Sequence, residues 1–87
     1  MQADKTTITR LLKTARGQLD GILTMVEEDR YCVDISNQLM ATEAILRKAN
    51  KEVVRAHMKG CVRRAVEQGD AEQKIDELVA LIDKLSK

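Results

Sequence analysis

An all-α fold of three helices is what this sequence predicts, and three observations carry it. Apolar residues recur at three- and four-residue steps, proline is absent, and the only aromatic residue is Tyr31. A β-sandwich would need more aromatic side chains, and a disordered chain fewer apolar ones, than a sequence that is 44% hydrophobic and 33% charged. With 87 residues the chain is one domain, 1–87, too small for a deep core of its own, so a partner chain is expected.

The first helix is placed at about 5–28, where Ile8, Leu11, Leu12, Ala15, Leu19, Ile22, Leu23 and Val26 form one apolar stripe. Glu27, Glu28 and Asp29 suit a helix C-terminus poorly, because the macrodipole there favours cations, so a break is expected near 29–32. Cys32 or Asp34 then opens a second helix reaching 68. Its heptad series is Ile35, Leu39, Thr42, Leu46, Ala49, Val53, Ala56 and Gly60. A rod of about 30 residues is about 45 Å long at 1.5 Å per residue. Gly69 is a C-cap and Asp70 an N-cap for a third helix at about 71–86, with Ile75, Leu78, Val79, Ile82 and Leu85 as its stripe.

Two long helices with wide apolar faces would leave much of that surface wet in a monomer. An antiparallel dimer packed as a four-helix bundle is therefore expected. No apolar run is long enough to span a membrane and no secretory pattern opens the chain, which predicts a cytoplasmic protein. There Cys32 and Cys61 would stay thiols, for metal binding, redox sensing or packing.

Charge is unevenly placed although the formal net charge is only +1. Residues 47–64 carry Arg47, Lys48, Lys51, Arg55, Lys59, Arg63 and Arg64 against Glu52, while 65–87 are net acidic. Arg47, Lys51, Arg55, Lys59 and Arg63 follow at four-residue steps and form a ridge on which DNA phosphates could lie. Arg10, Lys13 and Arg16 could extend it from the first helix; the bland alternative is a solubilising face.

His57 and Cys61 stand four apart on one helical face, a spacing that offers two ligands to one metal. Cys32 lies 25 residues before His57, about 37 Å away on a continuous helix, so it cannot join them within its own chain. Two second helices paired antiparallel would bring Cys32 of one protomer to His57 and Cys61 of the other, twice per dimer. Two thiolates and an imidazole match Cu(I). Zinc with a water as fourth ligand, or two packed thiols and a hydrogen-bonded His with no metal, remain open readings.

The stretches Arg16-Gly17-Gln18-Leu19-Asp20-Gly21-Ile22 and Glu28-Asp29-Arg30-Tyr31-Cys32-Val33-Asp34, followed by His57 and Cys61, resemble the copper-sensitive operon repressor family (CsoR/RcnR) over nearly the whole chain. These are bacterial metal- and thiol-responsive transcriptional repressors. The resemblance is to the copper-sensing branch, and it implies Cu(I) ligands Cys32, His57 and Cys61 across a dimer interface, with Tyr31 and Glu77 reading the metal-bound His. It also implies a tetramer, a dimer of dimers, binding operator DNA through basic residues of its first two helices: Arg10, Lys13, Arg16, Arg47, Lys48, Lys51, Arg55 and Lys59 here. Some relatives carry Arg where Leu11 stands, next to Arg10.

Nickel- and cobalt-sensing relatives use further His ligands, and His57 is the only His in this chain. Persulfide-sensing relatives keep both cysteines and typically lack the His. The expected function is a Cu(I)-responsive repressor that leaves DNA when copper binds. The alternatives are a persulfide or redox sensor using Cys32 and Cys61, and a copper chaperone or storage bundle without DNA. An enzyme is not expected, since neither thiol has a neighbouring base that is not better used as a ligand.

Overall fold

The computed structural model describes residues 1–69 and 71–85. Among them are three helices and no strand: α1 (Lys5–Glu27), α2 (Cys32–Gln68) and α3 (Ala71–Leu85). No described helix is long and apolar enough to cross a membrane.

α1 begins where Asp4 caps it. The Asp4 carboxylate accepts a hydrogen bond from the Thr7 backbone N–H at 3.2 Å and one from the Thr7 hydroxyl at 2.6 Å. Both bonds favour the ionised form, the hydroxyl's most, and hold Asp4 below the ordinary value of 3.8. α1 ends at Glu27, one residue short of the expected limit, and the chain turns through Asp29 at φ 53. The Arg30 N–H reaches back to the Met25 carbonyl at 3.0 Å, the six-to-one bond of a Schellman ending. Asp is one of the few L residues that tolerate this left-handed position, which glycine fills without a Cβ penalty.

α2 opens at Cys32 and runs 37 residues without a break, longer than the sequence pattern suggested. At 1.5 Å per residue it is about 55 Å long. Gly69 closes it at φ 78, its N–H bonded to the Ala65 carbonyl at 2.8 Å. Asp70, the N-cap suggested for α3, lies outside the described residues, as does position 86, where the sequence placed the end of that helix.

α1 and α2 form an antiparallel hairpin in which Ile8, Leu11, Ala15 and Ile22 are buried on one side and Thr42 and Ala49 on the other. Leu11 is thus a seam residue, while Arg10 beside it is exposed. Thr42 is only 3% exposed, and its hydroxyl, 2.9 Å from Gln18 Oε1 and 3.2 Å from the Gln38 carbonyl, is not left unsatisfied. α3 folds back along α2 and, among the described residues, does not pack on α1. Leu78, Cys61 and Ala65 are the buried residues there.

The molecule measures 58 × 27 × 12 Å. Its least dimension is about one helix diameter, so it is a single layer, and a single layer cannot cover both of its own faces. The expected apolar stripes therefore divide. Half of each closes the hairpin, and the other half stays exposed: Leu12, Leu19, Leu23 and Val26 on α1, Leu39 and Leu46 on α2. At about 100° per residue each exposed set sits about 60° round from its own helix's buried line, in the same rotational sense. Because the helices run antiparallel, equal rotations bring both sets to the same broad face.

Candidate metal and nucleic-acid sites

The unbroken α2 separates the thiols. Cys32 is 25 residues from His57 and 29 from Cys61 on one rod, distances of about 37 and 43 Å. Within one chain, and among the described residues, no three His, Cys, Asp or Glu side chains gather closely enough to hold a metal ion. The structure thus splits the expected ligand set into two half-sites at opposite ends of α2.

One half-site is the first turn of α2. Cys32 is exposed, and Tyr31 before it is 68% exposed and makes no side-chain capping bond. The other half-site lies where α3 crosses back over α2. Cys61 is buried there, and His57, one turn earlier, stays partly open. His57 Nε2 stands 3.9 Å from Glu77 Oε1, so α3 brings the expected carboxylate to the imidazole. That separation exceeds a hydrogen bond, which needs about 3.2 Å or less. With Nε2 turned to Glu77, Nδ1 is the ring nitrogen left for a ligand. A thiol and an imidazole one turn apart make a donor pair for a soft or borderline metal, and they lack the third and fourth donors a closed site needs.

Two features of this half-site are not legible in the sequence pattern. Lys74 Nζ lies 3.6 Å from Glu77 Oε2 and competes for the carboxylate; the three-residue spacing on α3 is its only signal. The N-terminal residues also fold over α2: Ala3 is buried, and Met1 and Gln2 line a cavity of about 400 Å³ together with Val53, His57, Glu77 and Leu81.

The cations lie elsewhere. Arg10, Lys13, Arg16, Arg47, Lys48, Lys51, Arg55 and Lys59 are all exposed. By the same wheel, Arg10, Lys48, Arg55 and Lys59 fall on the broad face opposite the apolar one, Lys13, Arg47 and Lys51 near the outer edges, and Arg16 toward the apolar side. One face of the layer is apolar with sulfur and imidazole donors at its ends, and the other is cationic. Arg47 is tied to Glu43 at 4.0 Å, one turn before it.

Comparison with known proteins adds the following. Residues 4–84 match the model of a family described as metal-sensitive transcriptional repressors. The copper-sensing transcriptional repressor CsoR of Mycobacterium ulcerans (strain Agy99) is 47% identical over 68 residues, which are 78% of this chain and 58% of that protein. The chain therefore spans less than two thirds of that relative's length. The protein of the same description from Bacillus subtilis (strain 168) is 42% identical over 84 residues, 97% of this chain and 83% of the relative. Among solved structures, the copper-sensing repressor CsoR with Cu(I) from Geobacillus thermodenitrificans NG80-2 superposes with a TM-score of 0.85 at 34% identity, covering 100% of this chain and 94% of that one.

Proposed function

This chain belongs to the metal-sensitive transcriptional repressor family, and from that premise we propose that it is a Cu(I)-responsive repressor, metal-free on operator DNA and released when Cu(I) is bound between subunits. It is a regulator and not an enzyme. The observation that carries the metal site is the continuity of α2, which keeps Cys32 about 37 Å from His57 in its own chain and leaves an incomplete half-site at each end.

An antiparallel partner completes both half-sites. Cys32 of one protomer then joins His57 and Cys61 of its partner, and Tyr31 arrives beside that His57 with the thiol it precedes. Two thiolates and one imidazole are a donor set that selects Cu(I), as named for the relatives above. The dimer pairs further into a tetramer whose cationic faces, with Arg10, Lys13, Arg16, Arg47, Lys48, Lys51, Arg55 and Lys59, lie along the DNA. Such binding is electrostatic in bulk and weakens with salt.

Glu77 supplies the link. His57 Nδ1 serves as ligand, and its Nε2–H donates toward Glu77, which draws α3 toward α2 and biases the orientation of the two cationic helices. A tenfold loss of DNA affinity needs about 1.4 kcal/mol of coupling, an ordinary allosteric magnitude. A sulfur-bridging sensor would leave the His57–Glu77 contact without a task, which favours copper over the persulfide reading.

Mixing two defective chains tests the shared site. Cys32→Ala and Cys61→Ala should each fail to hold Cu(I) against a competing chelator. Exchanged to equilibrium, half of the dimers are mixed and each contains one intact site, so about a quarter of wild-type capacity should return. No recovery would overturn the intersubunit site, and promoter fragments bound equally with and without Cu(I) would overturn the repressor reading.

A further inference from the structure

Five residues of α2 stand seven apart, Cys32, Leu39, Leu46, Val53 and Gly60, so they form one stripe on a helix that supercoils with a partner. Turned end for end about Leu46, the series sets Leu39 against Val53 and Cys32 against Gly60. We infer that α2 docks antiparallel on α2 of a second copy with Leu46 on Leu46 at the two-fold axis, so that the Cys32 side chain enters a vacancy over the partner's Gly60. The inference deepens the copper reading and rests on it for the identity of the metal, but the register stands on observations of its own.

Leu39 and Leu46 are 43% and 45% exposed on the apolar face of a layer 12 Å thick. A second copy covers them with their own kind. Gly60 is the second observation. A glycine inside a helix costs about 1 kcal/mol against alanine, and nothing in this chain requires one here. The three atoms nearest to an added Cβ, the closest at 2.9 Å, all belong to the Gln2 side chain, which can swing away. In the inferred register the missing side chain faces the incoming Cys32, with His57 and Cys61 on either side of the gap.

Charge fixes the direction. Pairing each residue i with the partner residue at about 92 − i sets segment 27–34 beside 58–65. The first carries Glu27, Glu28, Asp29 and Asp34 against Arg30, and the second carries Lys59, Arg63 and Arg64 with no acidic residue, giving net charges of −3 and +3. A parallel pairing would set like against like. The match repeats at both ends of the dimer by symmetry.

Single cysteines read the register without any metal. In a Cys32→Ser, Cys61→Ser background, Leu46→Cys treated with glutathione disulfide should give mostly disulfide-linked dimer, because a disulfide needs Cα atoms within about 7 Å. Leu39→Cys alone should stay monomeric on a non-reducing gel, yet should crosslink when exchanged with Val53→Cys. Failure of the Leu46→Cys bond, or a Leu39→Cys homodimer, overturns the register whatever the metal. If those bonds form and the wild-type chain does not bind Cu(I), the copper reading fails alone. In the wild-type background, Gly60→Val should keep the dimer and lose Cu(I) affinity at least tenfold; unchanged affinity would overturn the vacancy.

Discussion

Glu77→Gln keeps the shape of the side chain and removes its charge from the imidazole of His57. The two groups are 3.9 Å apart with side chains 44% and 48% exposed, so the contact belongs with surface ion pairs, worth about 0.2–1 kcal/mol. Removing it should therefore reduce the copper-induced loss of DNA affinity by at most about fivefold, and the tenfold coupling considered above would fall to about twofold. The measurement is fluorescence anisotropy of a bound promoter fragment, titrated with and without Cu(I), with the ratio of the two dissociation constants as readout. Lys74 provides the opposing arm. Its ammonium lies 3.6 Å from the other Glu77 oxygen, so Lys74→Met should leave the carboxylate to His57 alone and raise the ratio. Both effects should shrink as ionic strength shortens the Debye length. A Glu77→Gln protein with normal helix content and Cu(I) stoichiometry but an unchanged ratio would refute the relay through α3.

Three further outcomes follow from the fold. Asp29→Gly relieves a left-handed Asp at the α1–α2 turn and should raise stability by about 1 kcal/mol in urea denaturation, a gain that no other substitution at this position would match. The Asp4 carboxylate is held below its ordinary value, so its stabilising effect is present above pH 3.8 and is lost as pH falls through the lowered value. Circular dichroism should accordingly show wild-type helix content falling below that of Asp4→Asn in this acid range and not above it, since Asn caps without titrating. Arg55→Ala and Lys59→Ala should each lower the slope of log affinity against log salt by about 0.9 if each contacts one phosphate; an unchanged slope removes that residue from the DNA face.

The helices were legible because their signals are local. Periodic apolar residues marked α1 and α2, and Gly69 marked the end of α2 by the left-handed position only glycine enters freely. Asp29 shows the limit of such rules, since an acidic residue at a helix C-terminus opposes both the dipole and the usual choice of glycine, yet the Arg30–Met25 bond closes the turn. Division of the stripes was not legible: Leu11 and Leu12 are adjacent apolar letters, and only the 12 Å thickness shows that one is covered and the other open. At the site, His57 and Cys61 could be paired from their spacing. The approach of Glu77 depends on how α3 folds back, which no local spacing encodes, and the same holds for Met1 and Gln2 beside His57.

α2 takes part in every function proposed here, and its geometry explains why metal and DNA should compete. One side of the helix carries the donors at its two ends with Leu39 and Leu46 between them, and the other carries Lys48, Arg55 and Lys59. A layer one helix thick places no independent core between those sides, so a change in how two α2 rods cross is a change in how their cations are spaced. DNA phosphates repeat at a fixed interval, and a cation moved off that interval loses its contact without being neutralised. The donors sit near the ends of the rod, where a small change of crossing angle gives the largest displacement. A site at the axis, beside Leu46, would bind metal equally well and move the cations least.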